Sequence, residues 1–257
     1  MASVFHRADV ISAEIEVSPP TQLKVPANLR GKTKDFAVYV DPALGPGGQQ
    51  VAGTVLARCE TDYAEVSDYF GGISAGPFSV ILFSNPGGAY HLGCGATDLY
   101  CDAHIDPLDG EFSEFLNVAE FVEVFEAVQG KGWSCGEGNG EGLSRVLATD
   151  LYSAKLDGFA TAHFWLDSRR PNYVDRNYPT DTNAVANGCG VLFLNWLRFQ
   201  LGYTWEQIVA AAGSNLGQTY TVLTGKRDGF RQFRTLLNAH FPPGRPSGVA
   251  TDNPFPL

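Results

Sequence analysis

The chain has 257 residues, of which 44% are hydrophobic, and its formal net charge is −10 at pH 7. This composition predicts a folded protein with a sizeable core. The acidic balance argues against nucleic-acid binding and against docking on anionic lipid, because phosphate groups would find no basic surface. The sequence contains no stretch of 18 apolar residues and no signal-peptide pattern. We therefore expect no membrane contact and a cytoplasmic location, or secretion if the chain is a processed form.

The first half of the sequence is predicted to mix strands and helices. Residues 1–35 are proline-containing and resemble an extended arm. A strand is expected over 36–40 and a helix over 49–70, where apolar residues recur at helical spacing. The unbroken apolar run over 77–83 predicts a strand that is buried on both faces. Residues 89–104 are predicted to form an edge hairpin.

The second half is predicted to be mainly helical. An acidic helix is expected over 113–128, with Ser113 as its N-cap. Apolar residues at helical spacing predict the remaining helices, at 142–152, 185–201, 204–213 and 229–241. The sequence thus indicates an α+β domain over 36–241, with a mixed lobe to about 128 and a mainly helical lobe from about 129. A proline- and glycine-rich tail, 242–257, follows.

The five cysteines are too few for a disulfide scaffold in a chain of this length. Cys94 and Cys101 are the predicted pair, closing a short loop, and free thiols are the alternative. The spacings His91-x-x-Cys94 and Cys101-x-x-His104 also present four side chains that can bind zinc. A second metal cluster containing His91 and His104 therefore remains an alternative to the disulfide.

The acidic helix contains the most informative motif. The order Ala119-Glu120-Phe-Val-Glu123 is followed by a glycine-rich loop and then by Glu141 in Asn-Gly-Glu-Gly. This arrangement resembles the zincin metallopeptidases of the gluzincin type over roughly residues 36–205. In that family, His-Glu-x-x-His supplies two zinc ligands and a general base, and a glutamate on the next helix is the third ligand.

The resemblance implies a role for each matching position. Ala119 stands at the first ligand, Glu120 at the catalytic general base, Glu123 at the second ligand and Glu141 at the third. Alanine has no ligand atom, and Glu123 offers a hard oxygen in place of nitrogen. The expected cation is therefore calcium, magnesium or manganese in preference to zinc. The resemblance implies a zincin-like protein that is either a divergent metal-dependent hydrolase or a catalytically inactive pseudopeptidase.

Several other interpretations remain open. The glutamates could form a structural ion-pair network with Arg145 as partner, or be ordinary surface charges. Two close carboxylates beside aromatic residues also fit a glycoside hydrolase. The proline-rich ends are typical of a non-enzymatic binding or self-assembling protein whose terminal arms extend a neighbour's sheet. A protein or peptide partner, or a second copy of the chain, is expected in these cases.

Overall fold

A computed structural model describes residues 25–85, 88–153, 160–178 and 183–257, together with the backbone of residues 3–5. The fold is α+β, as predicted, with one mixed sheet and a larger set of helices. Most of the predicted N-terminal arm, residues 6–24, lies outside the described residues. Within the described residues, no helix combines the length and the apolar character needed to cross a lipid bilayer.

The strands share one sheet. In chain order they are β1 Ser3–Phe5, β2 Asn28–Lys32, β3 Phe36–Val40, β4 Phe78–Phe83, β5 Ala89–His91 and β6 Asp98–Asp102. The described α-helices are α1 Gly45–Tyr69, α2 Gly110–Gln129, α3 Gly138–Leu151, α4 Ala162–Leu166, α5 Ala184–Asn195, α6 Trp205–Ala210, α7 Leu216–Thr224 and α8 Gly229–His240. A π-helical segment, Trp196–Gln200, continues α5.

The sheet has the order β1-β5-β6-β4-β3-β2. Its centre consists of the parallel strands β3, β4 and β6, and β2 and β5 are antiparallel to their neighbours. β4 is internal, and Val80, Ile81 and Leu82 are all fully buried, as the apolar run predicted. The predicted edge hairpin is partly wrong. β5 and β6 do pair, but β6 is internal because it also forms a parallel ladder with β4, and β1 covers the outer side of β5.

Helix α2 lies at the centre of the molecule. It begins at an N-cap, Asp109, whose side chain accepts a hydrogen bond from the Phe112 amide, and it ends at Gly130 in the left-handed conformation. The predicted cap, Ser113, is instead a buried residue of the first turn. Every residue from 112 to 126 is buried, because α2 packs against α1, α3, β5 and β6. Glu114, Glu120, Glu123 and Glu126 are therefore core residues and not surface charges, whereas Glu111 in the first turn is exposed.

The C-terminal tail is an ordered part of the same chain. The Asp252 side chain accepts hydrogen bonds from the backbone amides of Thr161 and Ala162, each at 2.7 Å. The Asp252 carbonyl accepts a further bond from the Asn195 side chain, and Phe255 is buried against the core. These contacts place the described tail against the helices of its own chain.

Candidate metal centre

Three neighbouring elements bring ionisable side chains to one interior position. β5 ends at His91, the middle of α2 carries Glu120 and Glu123, and the first turn of α3 carries Glu141. The exposed fraction is 0% for the first three residues and 1% for Glu141. The sheet and the α2–α3 packing thus enclose an imidazole and three carboxyl groups in a region without solvent contact.

His91 is the centre of this group. Its Nδ1 atom lies 2.8 Å from Glu120 Oε2, within hydrogen-bond distance. Its Nε2 atom has no hydrogen-bond partner among the described residues and lies 3.8 Å from Glu123 Oε2. When Nδ1 carries the proton and donates it to Glu120, the lone pair of Nε2 faces Glu123. A histidine held in this way is arranged as a metal ligand usually is, with a carboxylate behind it.

A fourth carboxyl group, that of Glu126, lies one helical turn beyond Glu123. Neither of its oxygens has a hydrogen-bond partner among the described residues. The backbone of Gly140 passes close to it, so that a Cβ atom added at position 140 would lie 2.6 Å from Glu126 Oε2. Glu141 follows directly and accepts a hydrogen bond from the Gly136 amide at 3.2 Å. Gly140, in the first turn of α3, therefore lets this helix approach the acidic face of α2 closely.

Burial controls the protonation of these groups. It lowers the pKa of His91 to about 4, against an opposing effect of Glu141, so that the imidazole is neutral. Burial also raises the pKa of Glu120 and of Glu126 well above the usual range, and the charge of Glu141 raises both further. The contact between His91 and Glu120 is therefore a hydrogen bond made by a neutral imidazole and not an ion pair.

The predicted disulfide is wrong in its pairing. Cys94 is bonded to Cys135, which is 41 residues away in the sequence and has its Cα 5.6 Å from that of Cys94. The turn after β5 lies against the glycine-rich loop, so the nearest thiol in space is not the nearest in the chain. Cys101 is a free, buried cysteine of β6.

The predicted second cluster of four zinc ligands does not form. His91 points to the glutamates of α2, and Cys94 is oxidised. His104 instead lies 3.4 Å from Asp102 and packs against the Phe112 ring. The four side chains therefore have separate partners, with Cys94 held by the disulfide and His104 by the contacts that follow β6.

The described residues contain one group with the spacing of metal ligands. It consists of His91, Glu123 and Cys135, whose ligand atoms all lie within 4.8 Å of one another. Two atoms that each lie about 2.1 Å from one ion can be at most about 4.2 Å apart. The 3.8 Å between His91 Nε2 and Glu123 Oε2 satisfies this limit. Cys135 is not available as a ligand while its sulfur is in the disulfide.

The structure brings together the three glutamates that the motif singled out, and it adds residues that the motif did not include. Glu120 and Glu123 both lie against His91, and the Ser144 hydroxyl lies within hydrogen-bond distance of Glu123 Oε1 and of the Glu141 carbonyl. Sequence analysis placed His91 in another cluster and assigned no role to Glu126. Glu126 does follow Glu123 at the same three-residue spacing as Glu123 follows Glu120, which was a usable signal.

Other candidate features lie away from this centre. A cleft of about 270 Å³ lies between α3, α5 and the C-terminal tail, and Arg145, Asp150 and Asp252 are among its lining residues. Arg145 donates a hydrogen bond to the Thr161 hydroxyl at 3.2 Å. Trp133 and Trp165, two of the aromatic residues that a saccharide cleft could use, are buried in the core.

Comparison of the chain with models of protein families, with curated proteins and with solved structures finds no match.

Proposed function

We propose that this protein binds one divalent metal ion between α2, α3 and β5, with His91 and Glu123 as ligands and Glu141 completing the inner set. The observation that carries the proposal is the Nε2 atom of His91. It is fully buried, has no hydrogen-bond partner among the described residues, and lies 3.8 Å from Glu123 Oε2. A cation at this position would accept the lone pair of Nε2.

The charge balance supports a cation. Glu120 and Glu123 lie against one neutral imidazole, Glu141 acts on its charge, and Glu126 lies one helical turn beyond Glu123; all four carboxyl groups are buried. Buried carboxylates without compensating positive charge are costly, so such groups either hold protons or bind a metal. Metal binding displaces the protons from its ligands, and its affinity then rises with pH.

The donor types favour zinc or manganese. The motif alone supplies oxygen ligands and predicts calcium, magnesium or manganese, but His91 adds an imidazole nitrogen. Nitrogen together with carboxylate oxygens suits zinc and manganese better than the two harder cations. Two protein carboxylates and one histidine also leave a position for water.

Zincin-like architecture is part of the proposal. It is supported by the element order. The antiparallel strand β5, at the side of the parallel strands, precedes the central helix α2, and the next helix, α3, carries Glu141. Within this arrangement, Ala119 contributes no ligand, and His91 from β5 supplies the nitrogen that the motif lacks. Glu120 then orients His91 and is a positioning residue in the closed structure.

We further propose that the described conformation is that of a pseudopeptidase. No member of the centre is more than 1% exposed, so a peptide carbonyl could not reach the metal without an opening between α2, α3 and β5. Metal-dependent hydrolysis is the second candidate. It is favoured by the raised pKa of Glu120, because burial increases the proton affinity of this carboxyl group, as is typical of a general acid or base.

Metal analysis of the natively purified protein, followed by calorimetric titration of the metal-free chain, tests the proposal. We expect one site that binds zinc and manganese more tightly than calcium and magnesium. Glu123→Gln and His91→Asn should each weaken metal binding by at least about 100-fold. Loss of an outer partner costs about 10- to 100-fold in metal affinity, and loss of a direct ligand should cost more. Glu114→Gln, a buried carboxyl group of α2 that contacts Asp62 and Asn117, is the matched control.

The same preparation separates the two functional candidates. A pseudopeptidase binds metal but does not cleave a peptide library in the metal-loaded form. A hydrolase cleaves it, loses activity with a chelator, and loses activity in Glu120→Gln with metal still bound. Absence of metal binding, or equal affinity in Glu123→Gln and the parent, would refute the proposed metal centre.

A further inference from the structure

We infer that the Cys94–Cys135 disulfide is a redox control on the proposed metal centre, because reduction converts Cys135 into an additional ligand. The inference rests on the metal binding proposed above and concerns its regulation. In the oxidised chain the centre offers nitrogen and oxygen donors only. In the reduced chain it also offers a thiolate.

The position of Cys135 supports this role. Its sulfur, a ring nitrogen of His91 and a carboxylate oxygen of Glu123 all lie within 4.8 Å of one another. Bond lengths of about 2.3 Å to sulfur and about 2.1 Å to nitrogen or oxygen allow a separation of up to about 4.4 Å. A shift of a few tenths of an ångström therefore brings the sulfur into range. Cys135 lies in the loop before α3, between Gly132 and Gly136, which both have positive φ.

The two sulfurs differ in access. Cys94 is partly exposed and precedes the exposed Gly95, whereas Cys135 is 7% exposed and faces the interior. A reductant therefore reaches the disulfide from the side of Cys94. Attack on that sulfur makes Cys135 the leaving thiolate, and it is released next to His91 and Glu123.

A dithiol supplies the electrons for this step. One thiolate of the dithiol attacks the Cys94 sulfur, the bond to Cys135 breaks, and a mixed disulfide with Cys94 forms. The second thiol of the dithiol then attacks the mixed disulfide and releases Cys94 as a thiol. Two electrons pass from the dithiol, which becomes a cyclic disulfide, to the two cysteines. The proton that would otherwise reside on Cys135 passes to solvent when a metal binds.

The added donor changes the preferred cation. Thiolate is a soft ligand and selects zinc over manganese, whereas nitrogen and oxygen donors suit both. Reduction is therefore expected to increase zinc affinity at least about tenfold. Loss of an outer partner, which does not bind the metal itself, lowers affinity about 10- to 100-fold, and a direct thiolate ligand should contribute no less than the lower value. Manganese affinity should change less than zinc affinity.

Calorimetric titration with zinc, together with absorption spectra of the cobalt(II)-loaded protein, tests the inference. The measurements use the full chain with its disulfide oxidised, and then after reduction with a dithiol. We expect the lower zinc Kd and a sulfur-to-cobalt charge-transfer band only after reduction. Cys94→Ser should show both properties without reductant, because its Cys135 is free. Cys135→Ser should show neither property, whether or not reductant is present.

Cys59→Ser is the control for a buried thiol outside the centre, and it should behave as the parent does. Equal zinc affinity in the two redox states without a sulfur-to-cobalt band would overturn the redox inference and leave the metal centre intact. Loss of zinc binding in folded Cys94→Ser, checked by circular dichroism, would also overturn it. Absence of zinc binding in every form would instead refute the proposed function.

Discussion

His91 and Glu120 form a fully buried hydrogen-bonded pair, with Nδ1 of the imidazole 2.8 Å from Oε2 of the carboxyl group. The position of Glu120 in the motif predicted a general base that acts on a metal-bound water. The pair supports another assignment, in which Glu120 fixes the ring orientation and the tautomer of His91. Carboxyl groups that accept a hydrogen bond from the other ring nitrogen commonly hold metal-bound histidines in place.

Replacement of Glu120 should weaken metal binding without removing the site. Glu120→Gln keeps an acceptor for Nδ1 and is expected to raise the zinc Kd about tenfold, whereas Glu120→Leu, which has no acceptor, should raise it about 100-fold. Titration calorimetry measures both, with Glu114→Gln as the control on the same helix. An unchanged Kd in Glu120→Leu would show that Glu120 does not position the ligand.

A methyl group at position 140 should destabilise the protein. The Cβ of Gly140→Ala would overlap the Ser134 carbonyl and lie 2.6 Å from Glu126 Oε2, so the first turn of α3 must move away from Ser134 and from α2. We expect a loss of about 1–3 kcal/mol in the free energy of unfolding, as for other overpacked sites. Urea denaturation measures this change.

Gly53→Ala is the matched control for that substitution. Gly53 is in α1, and its added Cβ would have no neighbour within 4 Å. Alanine is the better helix former there, so the variant should gain about 0.5–1 kcal/mol. If both variants are destabilised equally, the close approach of α3 to Glu126 is not the cause.

Glu114 should make the stability depend on pH. Burial raises its pKa well above the usual range, and the nearby charge and hydrogen bond of Asp62 raise it further. When the pKa of a carboxyl group is higher in the folded state than in the unfolded state, its contribution to stability is fully present below the unfolded-state pKa. This contribution is lost as pH rises through the folded-state pKa. The loss is at most about 1.4 kcal/mol per pH unit.

Glu114→Gln cannot ionise and should therefore gain stability relative to the parent as pH rises from 5 to 8. Urea denaturation at three pH values in this range measures the difference between the two proteins. Glu65→Gln, at an exposed position of α1, controls for the loss of one charge. A difference that stays constant or shrinks with rising pH would contradict the assignment of a buried, protonated Glu114.

The C-terminal tail should stabilise the monomer. Asp252→Ala removes the acceptor for the Thr161 and Ala162 amides and is expected to cost about 2–4 kcal/mol, because each buried amide left unpaired costs about 1–3 kcal/mol. Urea denaturation measures the cost in the free energy of unfolding, and Asp68→Asn, at an exposed position of α1, is the control. If the tail acted between molecules instead, the substitution would change the oligomeric state in light scattering and leave monomer stability unchanged.

Local patterns in the sequence predicted much of the fold. Apolar residues at helical spacing predicted α1 and α2, although α1 begins four residues earlier than expected. Hydrophobic residues lie on every face of α2, a pattern typical of a buried helix, and the helix is buried from residue 112 to 126. These features depend on residues one or two helical turns apart, so they are visible without knowledge of the tertiary structure.

The sequence by itself determined which carboxyl groups lie on the central helix and that α3 opens with another. Only the tertiary structure decided that His91 joins them and that Cys94 pairs with Cys135 and not with Cys101. The order of strands in the sheet sets the first contact, and the close packing of the glycine-rich loop against the turn after β5 sets the second. Both join segments tens of residues apart, and no local periodicity reports how such segments meet.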